Sequence, residues 1–264
     1  MRTKKVRFIM LVAMIMVLAA FPLTASADHA WGNYHWARTG NTFTLKVGDN
    51  VSAVWDPYLN EAISDWNPSS VLNLTKVAGG TRPKNCRPTS GRIEVCNATY
   101  GNTGWLGIAQ IWASGDHITQ AIAKMNDTYY NTPQYNTPAW RRLVMCQEIA
   151  HDFGLDHQDE GFGAPNLGTC MDYTNDPDGG GAYGPSNEHP NAHDFEQLEI
   201  IYAHLDSTTT ISAAPPGFMN ADVHAIENWG EKVHESANGR SALYVRDFGN
   251  GFKIFTHVFW VLDN

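Results

Sequence analysis

Between Trp140 and Asn175 the sequence WRRLVMCQEIAHDFGLDHQDEGFGAPNLGTCMDYTN gathers Gln147, Glu148, His151, His157, Cys170, Met171 and Tyr173. Leu143, Val144, Met145, Ile149 and Ala150 follow Thr137-Pro138 with helical spacing, which predicts a helix over Trp140 to Phe153 that stops at Gly154. At about 100° per residue, Gln147 and His151 share one helix face and Glu148 sits beside them. Glycine at 154 can adopt left-handed dihedrals and turn the chain back, so that His157 meets His151 at one metal ion. The chemistry this suggests is hydrolysis. Zinc in a hydrolase takes about three protein ligands and keeps a position for water, whose pKa it lowers toward neutrality. Glu148, beside the metal, can take the water's proton and hand it to a leaving amine.

Glu148-Ile-Ala-His151-Asp-Phe-Gly154-Leu-Asp-His157 resembles the long zinc consensus HExxHxxGxxH of the metzincin metallopeptidases, with Gln147 in place of the first histidine. Cys170-Met171-Asp172-Tyr173 is similar to their methionine turn, with a tyrosine two residues after the methionine as in the astacin-like branch. The resemblance spans about residues 40 to 206, a common size for one domain. It implies that His151 and His157 are zinc ligands, Glu148 the general base and acid, and Met171 an apolar floor beneath the metal. Tyr173 is then an auxiliary ligand or a hydroxyl donor to the tetrahedral oxyanion. Gln147 would offer an amide oxygen, a poorer zinc donor than imidazole. The implied function is a secreted zinc metalloendopeptidase. The alternative is a catalytically impaired relative that uses the same cleft, or its aromatic ends, to bind peptide or carbohydrate.

The elements that must position these groups read as α+β. Thr42 to Val47, Val71 to Val77, Gly91 to Cys96, Gly104 to Trp112 and His117 to Met125 are strand-like, and Val54 to Trp66 is helical. They suggest a twisted, mostly parallel mixed sheet with the active-site helix behind it. The metzincin resemblance further implies an edge strand at Leu106 to Ala109 that receives the substrate backbone. Asn191 to His204 is an amphipathic helix capped by Asn191, in the place of the C-terminal helix of such a domain. Asp28 to Arg38 reads as an aromatic-anchored arm packed on the domain, with a metal or carbohydrate contact as the alternative. His117 reads as a partly exposed polar residue, and His189 and His193 as surplus to the ligand set. After the linker Asp206 to Pro216, Ser241 to Asp247 and Phe252 to Leu262 flank Phe248-Gly249-Asn250-Gly251, a hairpin signal, so a β-hairpin is expected to dock on the main domain.

Residues 1–27 carry a basic start, an apolar run from Phe8 to Leu23 and Ala25-Ser26-Ala27, the pattern of a secretory signal peptide. The expected organisation is therefore signal peptide 1–27, metallopeptidase domain 28–206, and linker with small hairpin 207–264. Removal of Arg2, Lys4, Lys5 and Arg7 takes the net charge from −9 to −13, which argues against nucleic acid and anionic membrane as partners. A monomer acting on protein or peptide substrate is expected, with one zinc. Calcium is a further candidate in the acidic loop Asp172 to Asp178. In an exported chain four cysteines suggest two disulfides. Of three possible pairings the local one is expected, Cys86 with Cys96 and Cys146 with Cys170. Helical rotation turns Cys146 about 100° from Gln147, which favours a disulfide over a thiolate ligand.

Overall fold

The structure, a computed structural model, describes residues 29–211 and 223–261. The expected signal peptide and part of the expected linker lie outside the described residues. In chain order the elements are β1 (His35–Trp36), β2 (Phe43–Asn50), α1 (Asp56–Trp66), β3 (Leu72–Ala78), β4 (Ile93–Ala98), β5 (Trp105–Ser114) and β6 (His117–Asn126). There follow α2 (Asp127–Tyr130), α3 (Pro138–His151), α4 (Ala192–Ile201), β7 (Glu231–Glu235), β8 (Ser241–Asp247) and β9 (Phe252–Trp260). No helix among the described residues is long and apolar enough to cross a membrane.

One mixed sheet holds every strand, in the order β3-β2-β4-β6-β5-β9-β8-β7, with β1 paired to β6. The expectation of a mostly parallel sheet needs correction, since β5–β6, β5–β9, β7–β8 and β8–β9 are antiparallel and equal in number the parallel pairings. The reason lies in the tail, which adds three strands rather than a separate hairpin. The implied substrate edge at Leu106 to Ala109 is likewise overturned. Both sides of β5 are hydrogen-bonded, to β6 and to β9, with Ala109 opposite His257. An unpaired edge is a standing template for another strand, and here the chain's own tail fills it.

Period-two alternation sorts β9 between two layers. Phe255 and Phe259 face the main core with Leu106, Val144 and Tyr173, whereas Ile254 and Val258 face a second cluster with Trp105, Trp112, Val223 and Trp229. His257 shares the side of Phe255 and Phe259. Trp229 is fully buried and packs on Tyr244 and Trp260, so its ring faces are not open to a sugar.

Thr137 starts α3, its side chain accepting from Trp140 N, and proline holds the first position. Almost every residue of the helix is buried, including Leu143, Val144, Met145 and Ile149. Each such side chain contributes about 1.5–3 kcal/mol on burial. Trp66 of α1 donates to Cys146 O at 3.3 Å, and the two helices pack through Leu59, Ala62, Ile63 and Trp66. The N-terminal arm closes the other end. Trp31 Nε1 donates to His151 O at 3.2 Å and Trp36 Nε1 to Asp152 O at 2.8 Å, satisfying carbonyls that a helix C-terminus leaves open. Asn191 caps α4 in a reciprocal box with Asp194.

Cys86 is bonded to Cys96, and Cys146 to Cys170 with Cα atoms 6.0 Å apart. The second bridge joins α3 to the Met171 turn. Replacing both Cys146 and Cys170 by alanine should cost about 2–4 kcal/mol, read from urea unfolding of the two proteins. An unchanged midpoint would mean the bridge constrains little. Phe259, fully buried between Tyr173, Phe162 and Trp140, tests whether the tail belongs to the core. Phe259→Ala should lower stability by about 3–5 kcal/mol in one cooperative transition. A separate, earlier transition for the tail would show instead that it docks as an appendage.

Candidate metal centre

Sequence neighbours and a distant strand meet at the C-terminal end of α3. Gly154 makes the turn possible for two reasons: its φ is +109°, and a Cβ there would lie 2.7 Å from Tyr34 O. Beyond it His157 folds back, its ring centroid 4.6 Å from that of His151. The third imidazole is His257 of β9, which stacks on His151 with centroids 4.2 Å apart and planes inclined by 9°. The sequence reading missed it. Its signal was present as a single histidine within the apolar alternation FKIFTHVFW, coupled to the absence of histidine at position 147.

Two of the rings are held by their outer nitrogens. His151 Nδ1 lies 2.8 Å from Leu155 O, and His157 Nδ1 lies 3.1 Å from Glu160 Oε1 and 3.3 Å from Asp156 Oδ1. Donation from Nδ1 fixes the tautomer and leaves the Nε2 lone pair for another partner. Nε2 of His157 and Nε2 of His257 are both buried with no protein partner. Burial, with His257 and His157 nearby, depresses the His151 pKa well below its usual range. Burial likewise brings His257 down to about 4. Both shifts favour neutral His151 and His257 at neutral pH. His151, Asp156 and His257 present ligand atoms within 4.8 Å of one another. Orphaned buried nitrogens, outer-shell carbonyl and carboxylate acceptors, and a nitrogen-oxygen donor set all fit a zinc ion.

Glu148 lies one helical turn before His151 on α3, against β5. A Cβ on Gly107 would fall 2.5 Å from Glu148 Oε1, so glycine is what leaves the carboxyl room. One carboxylate oxygen, Oε2, is buried without a partner, and burial pushes the Glu148 pKa well above the carboxylate range. Tyr173 packs its ring 4.5 Å from that of His157. Burial and the Glu148 charge both raise its pKa, while a hydrogen bond to Ser241 opposes them, so the hydroxyl keeps its proton. Met171 is fully buried next to the bridged Cys170.

Gln147 is held differently from a histidine ligand. Its Nε2 donates to Cys170 O at 2.8 Å, while Oε1 is buried and unpartnered. In the acidic loop, Asp172 Oδ2 accepts from Leu167 N at 2.7 Å and Asn187 Nδ2 at 2.8 Å, while Oδ1 is buried without a partner. His189 pairs with Asp65 at 2.7 Å and His193 with Glu196 at 3.4 Å, both away from the three rings.

No family model matches the sequence, and no curated protein does. Among solved structures the chain is similar to high choriolytic enzyme 1, a hatching enzyme zinc-protease from Oryzias latipes (medaka fish), with 10% identity, 70% of this chain and 98% of that one covered, and a TM-score of 0.33. At that score the likeness carries no weight for the site, which stands on its own side chains.

Proposed function

We infer that the chain is a secreted zinc-dependent metallopeptidase whose third imidazole comes from the tail, with His151, His157 and His257 as ligands. The single observation behind this reading is the convergence of those rings beside Glu148. Bound zinc would lower the pKa of a water toward neutrality and polarise a peptide carbonyl. Glu148, which the bound cation would hold ionised against the effect of its burial, would accept the water's proton and return it to the leaving amine. Tyr173 keeps its proton and would donate a hydrogen bond to the oxyanion. Gly107 leaves space for the Glu148 carboxyl. Access runs past Asp156, His157, Gln158, Asp159, Glu160 and His234, where three carboxylates favour a cationic segment of substrate. Two disulfides accord with an extracellular setting.

A second reading is favoured by Asp156 and by the covered β5 edge. With Asp156 as fourth ligand the coordination is closed, the mark of a structural rather than catalytic zinc site. The protein would then hold zinc without cleaving peptides.

Metal analysis and a peptide assay on the purified full chain separate the two. For the peptidase, a chelator should abolish cleavage and zinc restore it. Glu148→Gln should keep its zinc and lose at least about 10²-fold in rate. His257→Ala should weaken zinc binding at least about tenfold, whereas Gln147→Ala should leave it unchanged. Zinc-loaded parent that cleaves neither basic nor acidic peptides would favour the closed structural site. Unaltered zinc affinity in His257→Ala would sink the ligand assignment itself.

A further inference from the structure

A second convergence of ligand atoms lies outside this centre, where the N-terminal arm, the start of β6 and the segment after α4 meet. His35, His204 and Asp206 present ligand atoms within 4.8 Å of one another. His35 Nε2 is 3.2 Å from His204 Nε2, and Asp206 Oδ1 is 3.4 Å from the first and 3.6 Å from the second. His117 adds Nε2 at 3.1 Å from the same Oδ1. Bonds of about 2.0–2.1 Å to a tetrahedral zinc ion put neighbouring donor atoms about 3.3 Å apart. The separations among His35, His204 and Asp206, from 3.2 to 3.6 Å, fall around that edge length.

The outer contacts orient the donors toward a common point. His35 Nδ1 lies 2.6 Å from Asn33 O, so donation there leaves the Nε2 lone pair facing the other groups. Asp206 Oδ2 accepts from Arg38 N at 2.9 Å, and Asp206 N donates to Arg38 O at 2.8 Å, which leaves Oδ1 to the imidazoles. Parallel register places His35 beside His117, and His35 N donates to Asp116 O at 3.0 Å. His35 and Asp206 are nearly buried, with side chains 5% and 8% exposed. His117 and His204 are open, at 36% and 57%, and give an ion a way in from solvent.

The geometry points to a second divalent-cation site of zinc type, formed by His35, His204 and Asp206 with His117 beside Asp206 as the further donor, that fastens the N-terminal arm to β6 and to the chain after α4. With His117 as the fourth donor, three imidazoles and one carboxylate would fill a tetrahedron, which makes the site structural. Ion binding is then linked to the folding of the arm, whose Trp31 and Trp36 hold the end of α3. The site does not depend on the centre at His151.

The test uses chelator-stripped full chain titrated with zinc, followed by calorimetry, metal analysis and thermal unfolding. The double variant His117→Ala/His204→Ala alters only exposed side chains. It should bind one zinc fewer per chain than the parent, or bind that ion at least tenfold more weakly, and should lose part of the zinc-induced rise in Tm. Asp206→Asn, which keeps the shape of the side chain, should show the same loss. His151→Ala/His257→Ala should leave this ion in place, so failure of the other site is read separately. Equal stoichiometry, affinity and zinc-induced Tm shift in parent, double variant and Asp206→Asn would overturn the proposal.

Discussion

The antiparallel pairing of β9 with β5 is the constraint on which core and candidate site both depend. It turns what would be an exposed sheet edge into an interior strand, and β5 is buried along nearly its whole length as a result. The same pairing sets Ala109 opposite His257. Because side chains alternate with period two, fixing that register places Phe255, His257 and Phe259 together over α3. A slip of one residue would swap His257 and Phe259 for Thr256 and Val258. Packing of the two phenylalanines therefore holds the histidine at the site.

Burial then governs the electrostatics. Glu148, His151 and His257 are all nearly inaccessible, and the pKa directions follow from loss of water: the acid rises, the bases fall. The buried, unpartnered Nε2 atoms of His157 and His257 are costly to leave alone, since each lacks the hydrogen bond it makes in water. A cation offsets that cost and at once favours an ionised Glu148. The covered β5 edge limits the form of substrate. In the proposed peptidase an extended substrate could not add to β5, both sides of which are already paired, so its approach would be from the acidic mouth near Glu160 and His234.

Much of this was readable from local pattern. The helix of the active-site stretch, its glycine turn, the Asn191 cap and the strands around β5 and β6 all rest on periodicities and caps that act within a few residues. Four features were not. β7, with sequence EKVHE, is exposed throughout and shows no apolar alternation, because it leans on β8 through backbone alone. The partner of FKIFTHVFW is not encoded in its alternation, which says that a strand is half or wholly buried and not against what. His257 and the His35, His117, His204 group join residues far apart in sequence, and no spacing rule relates them. Asp206 was read as the start of a linker, yet both its backbone and its carboxylate are tied to Arg38.

Position 147 shows how these levels connect. Gln147 stands one helical turn before His151 on α3. Its side chain bonds the Cys170 carbonyl and reinforces the link that Cys146–Cys170 makes between α3 and the methionine turn. In the proposed site the ligand role passes from the helix to the tail. Metal loading and tail docking then become one equilibrium, because an ion that binds only the assembled set stabilises that set by RT ln(1 + [L]/Kd). A peptidase with all its ligands on one helix and turn keeps its metal whatever its C-terminus does. Here displacement of β9 would remove an imidazole and uncover the β5 edge together, so the closed cleft and the complete ligand set are two aspects of the same pairing.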